Sequence, residues 1–160
     1  MHVEALKQLK ARYCRLLDAK DWAAWRDVFT DELHADTSPT GGGEFRSADA
    51  FVAYVQKTIG RPSCTTVHQV CAPEIELTSP TSAAGVWAMT DVVRFAPGLG
   101  VRGYGHYHET YAIADGQWRI ASLRLTRLRL DLALGPFSFL VPTAWYAGRR
   151  RATAAASSRG

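Results

Sequence analysis

The apolar residues of this chain change their spacing once, near Cys64, from three and four to two, and they do not change back. Before that point Val3, Leu6, Leu9, Tyr13, Leu16 and Leu17 recur at helical spacing, predicting an amphipathic helix over about 3–17. "DAKDW" interrupts it, and Asp21 is placed to N-cap a second helix through Trp22, Trp25, Val28 and Phe29. A short strand is expected over 33–37, then a loop at "SPTGGG". Ser47 then caps a third helix whose apolar side holds Phe51, Val52, Val55 and Ile59. After the change of period, strands are expected at about 64–71, 74–78, 83–95, 101–114 and 117–129, with turns at "TSPTS", "APGLG" and "ADGQ". Helices followed by an unbroken run of strands cannot build the alternating units of a parallel sheet. They predict an α+β fold, three N-terminal helices packed on one face of a curved, mostly antiparallel meander.

A chain of 160 residues, 47% hydrophobic, is one domain able to bury a core unaided. The net charge of +4 resides in a tail. Setting aside Arg149, Arg150, Arg151 and Arg159 leaves 15 basic residues against 15 acidic ones. The domain is therefore placed at 1–147, with a basic Ala/Ser-rich disordered tail at 148–160, and no nucleic-acid partner is expected. Cys14, Cys64 and Cys71 follow no metal spacing, and the charged, helix-patterned start lacks the features of a secretory signal, which together suggest a reducing, cytoplasmic location. No uncharged apolar run is long enough to span a membrane; "LALGPFSFLVPTAWYAG" is interrupted by Pro136 and Pro142. Its apolar residues, 132–145, are expected to pack down on the domain, over the mouth of a pocket or at a dimer contact.

Period two sorts the strand residues by face. Gly85, Trp87, Met89, Asp91, Val93 and Phe95 share the bulky side that should meet the helices. On the next strand so do Val101, Gly103, Gly105, Tyr107, Glu109, Tyr111 and Ile113. Glycines beside aromatics suggest room for a cavity, lined by Trp22, Trp87, Met89, Tyr107 and Tyr111. Within these apolar surroundings four polar residues stand out. Asp91 on an apolar face needs a partner, because an isolated buried carboxylate is unstable. His68 stands between valines, and an imidazole with a carboxylate partner is a general acid/base pair. Asp18 ends a helix where the macrodipole disfavours it. Tyr13, on the inward stripe of the first helix, can offer a phenol to a carbonyl. The expected arrangement pairs His68 with Asp91. His106 and His108 share the opposite face and lack a third ligand, so no metal is expected.

The segments "RYCRLLDAKDWAAWRDVFTDEL", "TTVHQV" and "GHYHETYAIADGQWRI", in this order, resemble the SnoaL-like branch of the nuclear-transport-factor-2-like superfamily. The resemblance spans about residues 4–130. It implies a cone-shaped α+β barrel with a deep apolar pocket, commonly a homodimer. It also implies a cofactor-independent dehydratase, cyclase or isomerase acting on a hydroxylated cyclic or polyketide-like molecule. Asp18 falls where scytalone dehydratase has a catalytic aspartate, and His68 matches its histidine. Tyr13, Asp18, His68 and Asp91 together resemble the tyrosine, aspartate, histidine and second aspartate of bile-acid 7α-dehydratase. Leu17 and Thr37 stand where scytalone dehydratase presents tyrosines, a departure from its pattern. The other function the fold hosts is an unreactive binding or assembly module.

Overall fold

The computed structural model describes residues 1–140 of the protein. Helix α1 spans His2–Ala19, α2 Trp22–Arg26 and α3 Ala48–Ile59. The strands are β1 Phe29–Asp36, β2 Glu44–Phe45, β3 Thr65–Ser79, β4 Ser82–Ala96, β5 Leu99–Ala114, β6 Gln117–Leu134 and β7 Phe137–Leu140. Six of them form one sheet in the order β2-β1-β6-β5-β4-β3, and β7 pairs with the far end of β6. Among the described strands only the β1–β6 pairing is parallel. This is the α+β architecture the change of period predicts: three helices against one face of a curved sheet.

Local chemistry sets the helix ends. Helix α1 stops where Lys20 turns left-handed (φ 61°) and its N–H bonds the carbonyls of Leu16 and Leu17. The Asp21 side chain then accepts from the Ala24 N–H at 3.2 Å, and Ser47 does the same for the Ala50 N–H, so both expected caps are present. Helix α2 is shorter than its apolar spacing predicts. Val28 and Phe29, read as helical, turn instead into β1, which starts four residues earlier than expected. Both side chains remain buried, so tertiary packing satisfies them either way.

Two bulges position the site. The break expected at Pro73 is one, since β3 runs unbroken past it. Between Cys71 and Glu74 one extra residue enters β3, with Ala72 at φ 46° and Pro73, which has no N–H to leave unpaired. The other lies on β6, where Tyr104 pairs Arg129 but Gly105 pairs Arg127, leaving Leu128 extruded and 68% exposed. On the helix side of this second bulge Leu123, Leu125 and Arg127 share the inner face. The core lies between that face and the helices, around Leu6, Leu9, Trp25, Phe29, Leu33 and Ile120. Of the residues assigned inward on β4, Trp87, Met89, Asp91 and Val93 are buried, but Phe95 is exposed near the β4–β5 turn, beyond the reach of the helices.

No helix of the described residues is long and apolar enough to cross a membrane. The apolar segment expected as a lid divides. Residues 132–134 extend β6 and Phe137–Leu140 forms β7, a hairpin with exposed Phe137 and Phe139, whereas 141–145 and the 148–160 tail lie outside the described residues.

Candidate active site

Asp18 occupies the last turn of α1, and α1 packs across β3. Thr66 and His68 are two apart on β3 and so share its inner face. Asp18 meets both. Its Oδ1 lies 2.7 Å from His68 Nδ1 and accepts from the Thr66 hydroxyl at 2.9 Å, while its Oδ2 accepts from the His68 backbone N–H at 2.8 Å. Lys20 donates to the Thr66 hydroxyl at 2.9 Å and closes the group. Burial pushes the Asp18 carboxyl up, but the hydrogen bonds from the His68 ring and backbone outweigh it and hold the group below its ordinary value. Asp18 is thus ionised near neutral pH, and a carboxylate can only accept. The proton of a neutral His68 therefore sits on Nδ1, and the lone pair remains on Nε2.

His68 and Asp91 are directly opposite each other on β3 and β4, as their shared face requires. They are nevertheless not the pair expected. Arg127 holds Asp91 with two bonds, Nη1 to Oδ1 at 2.9 Å and Nη2 to Oδ2 at 2.6 Å, so both carboxylate oxygens are engaged. The aspartate that orients His68 is Asp18, fifty residues away in sequence. Gly103 explains how an arginine fits there: a Cβ at that position would lie 1.9 Å from Arg127 Nη1 and 2.3 Å from Asp91 Oδ1. The room left by this glycine is filled by an ion pair rather than by a cavity. Gly105 likewise gives way to the backbone of β6, whose Thr126 carbonyl a Cβ would meet at 1.8 Å.

A cavity of about 100 Å³ lies against this group, between the helices and the sheet. Tyr13, Thr37, His68, Asp91 and Tyr107 supply its polar wall, and the rest is apolar, including Leu17, Trp25, Phe51, Leu123 and Leu125. Burial raises the Tyr13 phenol well above its ordinary range, and the neighbouring Tyr107 raises it further. Tyr13 therefore stays protonated and able to donate. Of the five residues expected to line the pocket, Tyr107 alone does so. Trp22 is half-buried on α2 against Trp25. Trp87, Met89 and Tyr111 are buried in the core. Trp87 donates to the Tyr111 hydroxyl at 2.8 Å, Tyr111 donates to Glu109 at 2.6 Å, and Glu109 is paired with a fully buried Lys10. The Lys10 ammonium lies 4.0 Å from the centre of the Tyr13 ring and 3.6 Å from that of Tyr107, behind the cavity wall.

Thr66, Arg127 and Lys10 were not singled out from sequence, yet each left a signal. Arg127 continues the inward period of Leu123 and Leu125. Lys10 sits four residues after Leu6 on the buried stripe of α1. Thr66 is two residues before His68.

Residues 2–124 match the family model described as a SnoaL-like domain. The chain belongs to this family. The protein "Probable cyclase FGR4" of Gibberella zeae is 25% identical over 135 residues, which cover 77% of this chain and 89% of that protein. Among solved structures, a candidate scytalone dehydratase from Novosphingobium aromaticivorans superposes with a TM-score of 0.73 at 20% identity, covering 85% of this chain and 93% of that one. The hexachlorocyclohexane dehydrochlorinase LinA-type3 of Novosphingobium barchaimii gives 0.73 at 15% identity, covering 88% and 95%. At these identities the structural likeness establishes the fold, the cone-shaped α+β barrel of this family.

Proposed function

We propose that the protein is a cofactor-independent lyase or cyclase that acts on a hydroxylated cyclic or polyketide-like ketone within this cavity. The observation that carries the reading is the Asp18–His68 pair: a buried, oriented imidazole whose free lone pair belongs to the wall of an apolar pocket. In a dehydration, His68 Nε2 removes the proton α to the carbonyl, and the electron pair of that C–H bond forms the new C=C bond. The β-hydroxyl departs with its bonding pair, takes the proton back from His68 and leaves as water. Asp18 holds the Nδ1 proton and stabilises the imidazolium while it exists. Tyr13 donates to the substrate carbonyl. Asp91, neutralised by Arg127, contributes shape and a hydrogen-bonding edge rather than a second base. In a cyclisation the same base forms the enolate, and the pocket brings a second carbonyl to it.

Size constrains the substrate. An apolar cavity that takes benzene is of the order of 150 Å³, so at about 100 Å³ this one admits a cyclic substrate only as its walls give way. Val55 and Ile59 of α3, which packs on α2 and on the β1–β2 end of the sheet, form one side of that wall. Three free thiols fit the reducing, cytoplasmic setting of this reading. The exposed Val67 and Leu128 on the outer face of the sheet fit a homodimer.

The test is a panel of β-hydroxy cyclic ketones of one to three rings incubated in D₂O, with α-deuteration and enone formation followed by NMR. Wild type should exchange and dehydrate at least one member, and His68→Ala should lose roughly 10²–10⁴-fold in rate while remaining folded. Equal rates for the two proteins on every active member would end the catalytic reading and leave an unreactive binding module.

A further inference from the structure

Two buried side-chain donors lack a partner among the described residues, Trp25 Nε1 and Arg119 Nε. The Arg119 guanidinium is anchored by its other nitrogens, with Nη1 3.5 Å from the Phe29 carbonyl. Trp25 has a single N–H, and nothing compensates it. The residue is completely buried at the foot of α2, packed against the rings of Tyr13, Phe29 and Phe51 at centroid distances of 5.4, 5.0 and 5.6 Å. Phe29 and Phe51 offer no conventional acceptor, and the Tyr13 hydroxyl, which could accept, is not bonded to this N–H. Native proteins rarely leave a buried donor in this state, because the desolvation of the group is then uncompensated. Trp25 is also a wall of the cavity beside His68, so what fills that cavity can bring the missing acceptor.

We infer that the indole N–H of Trp25 is the docking donor for a carbonyl oxygen of a neutral small molecule in the cavity. The chemistry narrows the class. Indole is a donor only, so the ligand atom must accept. A hydroxyl there would bring a second proton to place, for which Phe29 and Phe51 offer no acceptor and Tyr13 only its phenol oxygen. A carboxylate would be buried beside an Asp91–Arg127 pair that is already neutral, and no cation is among the described residues that line the cavity. A carbonyl satisfies Trp25 and leaves nothing of its own unsatisfied. The inference rests on the reading of this cavity as a small-molecule site and adds a second fixed point to it. Trp25 holds one oxygen while His68 faces the carbon skeleton, so the bound molecule has one orientation.

The test compares two ligands that differ at one atom group, cyclopentanone and methylenecyclopentane, in which C=O is replaced by C=CH₂. Wild type and Trp25→Phe are titrated with each, and ¹H–¹⁵N spectra follow the indole N–H resonances, that of Trp25 being identified by its contacts to Phe29 and Phe51. The expected result is a downfield shift of the Trp25 indole proton with the ketone but not with the alkene. Wild type should prefer the ketone by about tenfold, the scale of one net hydrogen bond, and Trp25→Phe should lose that preference. If both ligands bind wild type with equal affinity and the Trp25 resonance does not respond to the ketone, the docking role is wrong while the cavity remains a ligand site. Should neither ligand bind, nor any ketone of the larger panel, the small-molecule reading falls and this inference with it. The wild-type resonance decides the matter even where Trp25→Phe folds poorly.

Discussion

At Asp18 one carboxylate accepts from the His68 ring, the His68 backbone and the Thr66 hydroxyl, so its charge and its shape act on different observables. Asp18→Asn keeps the shape and removes the charge that favours an imidazolium at His68. Its turnover should fall roughly 10²-fold or more, toward that of His68→Ala, whereas Asp91→Asn should act mainly by loosening Arg127. Turnover and melting temperature measured on the same variants separate these effects. The charge also has a pH signature. Because the folded-state pKa of Asp18 is depressed below its ordinary 3.8, the unfolded chain binds more protons between the two values, and stability rises with pH across that window. The contribution is fully present above about pH 4–5 and is lost as pH falls through the folded pKa. Asp18→Asn should therefore flatten the acid end of a melting-temperature profile. A variant profile parallel to that of wild type between pH 2 and 5 would show that the hydrogen bonds do not stabilise the ionised form.

Among elements, β5 and α1 each carry one position whose tolerance depends on what faces it. Gly103 on β5 faces the Asp91–Arg127 pair, and Gly103→Ala would drive a methyl into both groups. Overpacking of this kind should destabilise by about 1–3 kcal/mol, read by denaturant unfolding; a neutral result would mean that the pair can shift at no cost. Lys10 on α1 and Glu109 on β5 form an ion pair with no exposed side-chain surface. Lys10→Met leaves Glu109 buried with the Tyr111 hydroxyl as its remaining partner and should be destabilising by about 3–5 kcal/mol. The double variant Lys10→Met, Glu109→Leu should recover much of that loss, since it buries no orphaned charge. If the double variant is as unstable as the sum of the two single ones, the helix and the strand are not coupled through this pair.

For the whole molecule the sheet has two unlike faces. The inner one is covered by helices, and the outer one presents Val67 on β3 (51% exposed) and the extruded Leu128 on β6. A homodimer formed through the outer face would cover both. Leu128→Glu should then give a monomer in analytical ultracentrifugation while the Trp25 indole resonance of the cavity stays in place. A variant that remains dimeric would move the interface elsewhere.

The period change near Cys64, the caps at Asp21 and Ser47 and the alternation along β4 and β5 are local, because each depends on dihedral geometry and on which side of an element is apolar. The α+β class, the inward position of His68, Asp91 and Tyr107, and the helix-end position of Asp18 were therefore legible along the chain. Partnership was not. Thr66, His68 and Asp91 share a face, but whether His68 turns to Asp91 or to Asp18 depends on where α1 crosses β3 and on Arg127 arriving from β6 opposite Gly103. Those are distances between segments far apart in sequence, fixed by a one-residue bulge at Leu128 and by the angle at which a helix lies on a sheet. The same holds for Trp25. Its sequence context marks it as core, and only the packing of three aromatic rings around it leaves its N–H without an acceptor.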